Sequence, residues 1–123
     1  MKLSQHASGI HYLVSGHGPG WIEIAGQRHE RSLLISEQGV DAGWGPAPGE
    51  PLSAAHLAAL AGRGMQLVLI GTGQQQRFPP AEVLRPLIDA GVGFEVMDTG
   101  AACRTYNLLV SEGRGVIAAL IVE

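Results

Sequence analysis

The run Asp98-Thr99-Gly100-Ala101-Ala102-Cys103-Arg104-Thr105-Tyr106-Asn107 holds most of the chain's chemically useful spacing. On a helix opening after Asp98, Arg104, Asn107 and Ser111 share one face at spacings of three and four. Cys103, Tyr106, Leu109 and Val110 share another, apolar enough to face a core. Arg104 falls near the first turn, where the positive end of the helix dipole disfavours a cation. That conflict calls for an anion, or for an internal pair with Asp98. The Thr99 hydroxyl is placed to cap the helix, and the free N–H groups of a first turn attract negative charge. A second glycine loop, Gly71-Thr72-Gly73, follows an apolar run. Glycine there permits close backbone approach to a ligand. The ligand-binding candidates are therefore Gly71, Thr72, Gly73, Thr99, Gly100, Arg104 and Asn107, and the ligand expected of them is a small anion.

A catalytic set does not assemble from the remaining residues. Cys103 has no base partner in its vicinity and suits a small buried apolar position, although an exposed thiol at a helix N-terminus would be acidic. Histidines at positions 6, 11, 17, 29 and 56 show no metal-ligand spacing. Gly71-Thr72-Gly73 has neither dinucleotide-loop spacing nor the Lys-Ser/Thr of a phosphate-binding loop. The expectation is no catalytic residue, no metal and no cofactor, leaning away from an enzyme.

The elements that must position these residues follow from the hydrophobic pattern. Ile10–Ser15 is expected as a short strand. Trp21–Ile24 alternates, and Ser32–Ser36 is apolar at its centre, which suggests a hairpin with a polar start to its return strand. Glu37 to Leu52 is a long loop with four glycines, three prolines and Trp44. Trp44 is expected to anchor that loop against the sheet, and it is the candidate for an interaction with a partner or a second copy. Ser53 suits the N-cap of a helix carrying Leu57 and Leu60. Met65–Ile70 is a strand apolar enough to be covered on both faces. Pro79-Pro80 opens a second helix that Gly91 closes. Val92–Met97 is the next strand, and the third helix runs to about Glu112. Val116–Val122 is the last strand. The β–α–β–α–β order predicts parallel pairing of Met65–Ile70 with Val92–Met97. Ligands in such sheets bind beyond the carboxyl ends of parallel strands, where both glycine loops lie.

A length of 123 residues suits one α/β domain spanning 1–123. With 46% hydrophobic but only 5% aromatic residues, its core must be aliphatic. Eight Lys+Arg against eleven Asp+Glu, with the arginines scattered, argue against nucleic acid. One cysteine excludes an internal disulfide. No apolar run reaches the roughly 18–20 residues of a membrane span, and no secretory or transit segment opens the sequence. The expected location is the cytoplasm.

The run Val96 to Asn107, continuing through Leu108, Leu109, Glu112, Gly113 and Arg114, together with Leu69-Ile70-Gly71-Thr72-Gly73, resembles the family of respiratory complex I assembly factor 3. The resemblance extends from about Ser32 to the C-terminus, with Trp44 in the long loop. It implies a three-layer α/β fold with a mixed central sheet, flanking helices and an N-terminal antiparallel β portion. It also implies a non-catalytic module that acts with a protein partner.

Overall fold

The computed structural model describes residues 12–123. Five short strands come first: β1 (Val14–Gly18), β2 (Trp21–Ile24), β3 (Gln27–His29), β4 (Leu33–Ser36) and β5 (Gly39–Asp41). Then follow α1 (Ala54–Ala58), β6 (Leu67–Gly71), α2 (Ala81–Asp89), β7 (Gly93–Met97), α3 (Thr99–Ser111) and β8 (Val116–Leu120). The expected strand from Ile10 begins outside the described residues, and β1 starts at Val14.

The strands form two sheets. β1-β2-β3 is antiparallel throughout, and the second sheet has the order β5-β4-β8-β6-β7. β6 pairs in parallel with both β7 and β8, whereas β4 runs antiparallel to β5 and β8. The expected hairpin needs a correction. Trp21–Ile24 turns back through Ala25-Gly26 onto the polar Gln27–His29, not onto Ser32–Ser36. Leu33–Ser36 instead enters the larger sheet between β5 and β8. It is buried at every residue, which a central strand covered on both faces requires.

Alternation of side chains divides the core into two layers. Leu33, Ile35, Leu69, Ala118 and Leu120 face one side, against Val14, Ile22 and Ile24 of the small sheet and Cys103, Tyr106 and Val110 of α3. Leu34, Val68, Ile70, Ile117 and Ala119 face the other, against α1, α2 and Trp44. The fold is thus α/β in three layers: α1 and α2, the mixed sheet, then α3 beside the small sheet.

Glycine closes α2 and α3 by the same device. Gly91 and Gly113 take φ of 69° and 78°. In each case the glycine and the residue after it donate back into the last turn, Val92 N–H to the Leu87 carbonyl and Arg114 N–H to that of Leu109, both at 3.0 Å. This is a Schellman ending, which satisfies carbonyls that a helix terminus would leave unpaired.

Candidate functional site

The carboxyl ends of β6, β7 and β8 lie together, because all three run parallel. After β6 the chain passes to α2 on one face, and after β7 it passes to α3 on the other. Connections that part in this way open a crevice at the strand ends. Here the crevice holds about 310 Å³ and contains Gly73, Thr99, Gly100 and Arg104 of the expected set. Gly71, Thr72 and Asn107 are not in its wall.

Those three residues have structural placements. A Cβ on Gly71 would lie 3.0 Å from the Thr99 Cα, so glycine lets α3 approach the sheet end. The buried Thr72 hydroxyl donates to the Gln75 carbonyl at 2.7 Å and accepts from Arg77 N–H at 3.0 Å, holding the following loop in shape. Asn107 faces β1, where its side chain accepts from Val14 N–H at 2.9 Å and donates to the Val14 carbonyl at 2.8 Å. It imitates one step of a strand pairing and fastens the small sheet to α3.

The N-terminus of α3 differs from expectation. Asp98, not Thr99, is the N-cap, and its carboxylate accepts from Ala101 N–H at 2.9 Å. Thr99 N–H donates to the Gly73 carbonyl at 2.8 Å. The Thr99 hydroxyl accepts from Gly73 N–H at 2.8 Å and donates to the Ile121 carbonyl at 2.7 Å. The helix end expected to be open to an anion is therefore largely satisfied by a carboxylate and a carbonyl. Arg104 is exposed and forms none of the ion pairs found among the described residues, so the expected alternative of an Asp98 partner does not hold.

Other wall residues were not legible as site residues. His17, Gly18, Pro19 and Gly20 come from the β1–β2 turn, Gln74 from the loop after β6, and Ile121, Val122 and Glu123 from the segment after β8. The run Gly16-His17-Gly18-Pro19-Gly20 does signal a tight turn, and a Cβ on Gly18 would lie 2.6 Å from the Trp21 indole nitrogen. Nothing local places that turn over α3. There the His17 ring occupies the space that Gly100 leaves open, since a Cβ on Gly100 would lie 3.1 Å from its Cε1. Among the described residues the crevice thus gathers the guanidinium of Arg104, the imidazole of His17 and the carboxylates of Asp98 and Glu123.

Two further residues have settled environments. Cys103 is 1% exposed, and burial pushes its thiol up to about 12, against a smaller opposing effect of the Arg104 charge. Trp44 is 8% exposed, and its indole N–H donates to the His56 carbonyl at 2.9 Å. Its indole lies edge-on to the His56 ring at 6.0 Å, so it pins the long loop to α1 and presents little surface to a partner. Among the described residues no group of three or more His, Cys, Asp and Glu side chains could hold a metal ion. No helix there is long and apolar enough to cross a membrane.

Residues 14–121 match the family described as protein of unknown function DUF498/DUF598. The chain belongs to that family. An uncharacterised protein of Rhodobacter capsulatus is 41% identical over 108 residues, 88% of this chain and 82% of its own length. The 13 kDa major membrane protein of Francisella tularensis is 36% identical over 72 residues, 58% of each chain. Human NADH dehydrogenase [ubiquinone] 1 alpha subcomplex assembly factor 3 is 40% identical over 57 residues, 46% of this chain but 31% of its own. The match thus spans less than two thirds of the last two relatives. A crystal structure from Bordetella parapertussis superposes with a TM-score of 0.81 at 37% identity, covering 91% of this chain and 96% of that one. A Bordetella pertussis protein described as a Mth938-like domain gives 0.74 at 32% identity, covering 98% and 92%. The resemblance to the assembly-factor family therefore holds, as distant similarity over part of each chain.

Proposed function

We propose that this protein is a non-catalytic binding module that helps to assemble or hold a protein complex in the cytoplasm. The similarity to complex I assembly factor 3 carries this reading. Two features of the fold support it. The polar groups with spacing for chemistry, Thr72, Thr99 and Asn107, are engaged in holding the backbone together. The one thiol is buried and held protonated at neutral pH. The test is affinity purification of the tagged chain at native expression level from its own organism, with fractionation of cytosol and membranes. A stoichiometric protein partner in the cytosolic fraction is expected. A chain that sediments alone in gentle lysates overturns the reading.

A second reading has one observation in its favour. The Arg104 guanidinium opens on the 310 Å³ crevice without an ion-pair partner among the described residues, next to Gly100 at the α3 N-terminus. An anion there would meet a charge-assisted donor. Titration with millimolar phosphate, followed by amide shifts, tests it. Shifts at Gly100 and Gln74 that Arg104→Gln abolishes support an anion site, and an unmoved spectrum removes it.

A further inference from the structure

We propose that the groove beside Phe78 docks a protein segment presenting one large apolar side chain next to a lysine or arginine. This deepens the protein-binding reading above and rests on it. The groove lies beyond the Ile121–Glu123 segment from the Arg104 crevice, and Ile121 and Glu123 line both. It holds about 300 Å³. That is the low end of the roughly 300–1,000 Å³ of small-molecule pockets, and it suits a single anchoring side chain. Leu52, Pro51, Pro79 and Pro80 supply apolar walls.

Phe78 is 69% exposed, more than any other large hydrophobic side chain described. Its exposure is built in. The preceding loop is held by Thr72 at Gln75 and Arg77, by the Gln74 amide on the Glu123 carbonyl at 3.0 Å, and by the Gln76 amide on the Val96 carbonyl at 2.9 Å. Pro79 then restricts the Phe78 backbone to extended conformations. An aromatic ring kept in water by a fixed frame contributes little to folding, and such anchors dominate protein interfaces.

Charge selects the occupant. Arg77 at the rim is matched by Glu123 at 3.0 Å. Among the described residues Glu50 has no lysine or arginine partner: its carboxylate accepts from Ala47 N–H at 3.0 Å and lies 3.8 Å from the His56 imidazole, charged only when protonated. Among the described residues the rim thus carries one carboxylate in excess, and a cationic residue flanking the apolar anchor neutralises it.

The test pans a displayed library of short random peptides against the full chain and measures binding of the enriched peptide. The expected peptide pairs a large apolar residue with Lys or Arg and shifts the amides of Leu52, Phe78 and Ile121. Phe78→Ser should weaken it about tenfold or more, as loss of an interface anchor does. Glu50→Gln keeps the acceptor for Ala47 and should weaken binding about threefold, an effect that salt erases. Unchanged thermal melts check that both variants fold. Peptides that shift only the Arg104 crevice, or bind Phe78→Ser equally well, overturn the groove but leave protein binding intact. So does a native partner recovered equally by wild type and Phe78→Ser. A concentration-dependent dimer abolished by Phe78→Ser assigns the groove to a second copy and overturns the proposed occupant. No peptide and no native partner overturn both readings.

Discussion

Gly73 and Thr99 exchange two hydrogen bonds, main-chain N–H of each to an oxygen of the other, both at 2.8 Å. They close the gap between the loops leaving β6 and β7. The Thr99 hydroxyl, donating onward to Ile121, ties in the segment after β8 as well. One side chain thus joins all three parallel strand ends, and it does so from the position expected to cap α3.

Thr99→Val keeps the shape and removes the hydroxyl. Gly73 N–H and the Ile121 carbonyl then lose their partner, which should cost about 2 kcal/mol of stability in urea unfolding. Thr99→Ser retains both bonds and should cost less than about 1 kcal/mol. Equal losses for the two variants would mean that the methyl group matters instead.

Asn107→Ala removes both bonds to Val14 and should destabilise the chain by about 2 kcal/mol. Hydrogen exchange locates the effect. The Val14 amide should exchange much faster, while the Leu34 and Ala119 amides in the larger sheet slow or quicken only with global stability. Uniform acceleration across both sheets would show that the small sheet does not depend on Asn107.

Alkaline pH should destabilise the fold through two groups. Burial raises the Cys103 thiol from an ordinary 9.0 to about 12, and burial, then the Glu37 charge, raises the Tyr106 phenol above its ordinary 10.0. The unfolded chain releases these protons first, so it binds fewer than the native state, and stability falls as pH rises. The thiol contribution is complete below pH 9 and is lost on the way to about 12. Each group adds a slope of up to about 1.4 kcal/mol per pH unit. Cys103→Ala should remove one proton from that slope in urea titrations between pH 9 and 11. The native thiol should also resist thiol reagents at pH 8 until denaturant is added.

His56 holds the start of α1. Its Nδ1 accepts from Ser53 N–H at 3.0 Å and lies 3.0 Å from the Ser53 hydroxyl. His56→Ala should cost about 1 kcal/mol, the usual loss of a cap. His56→Gln carries an acceptor suited to the same position and should recover most of it. The Trp44 bond is to the main-chain carbonyl and survives both changes. Equal destabilisation by both substitutions would show that the imidazole acts by packing on Trp44.

What the sequence determined was local. Nearly continuous apolar runs at Met65–Ile70 and Val116–Val122 assigned buried strands, observed as Leu67–Gly71 and Val116–Leu120, and Gly91 and Gly113 ended helices where only a left-handed residue fits. The β–α–β order set parallel pairing of β6 with β7, since a crossover helix can join only parallel strands in this way. The two glycine loops therefore had to share one end of the sheet. Tertiary structure alone decided the rest, because each deciding partner is distant in the chain. The apolar run in Leu33–Ser36 tells that the strand is buried but not which strand lies beside it, so its pairing with β8 was invisible. Arg104 was legible as a cation in an unfavourable place, and it does face the crevice. That Thr99 and Asn107 hold the framework could not be read, since their partners lie up to 93 residues away. Nor could the sequence show that His17 lines the crevice and packs against Gly100, a contact made only when the small sheet folds back onto α3.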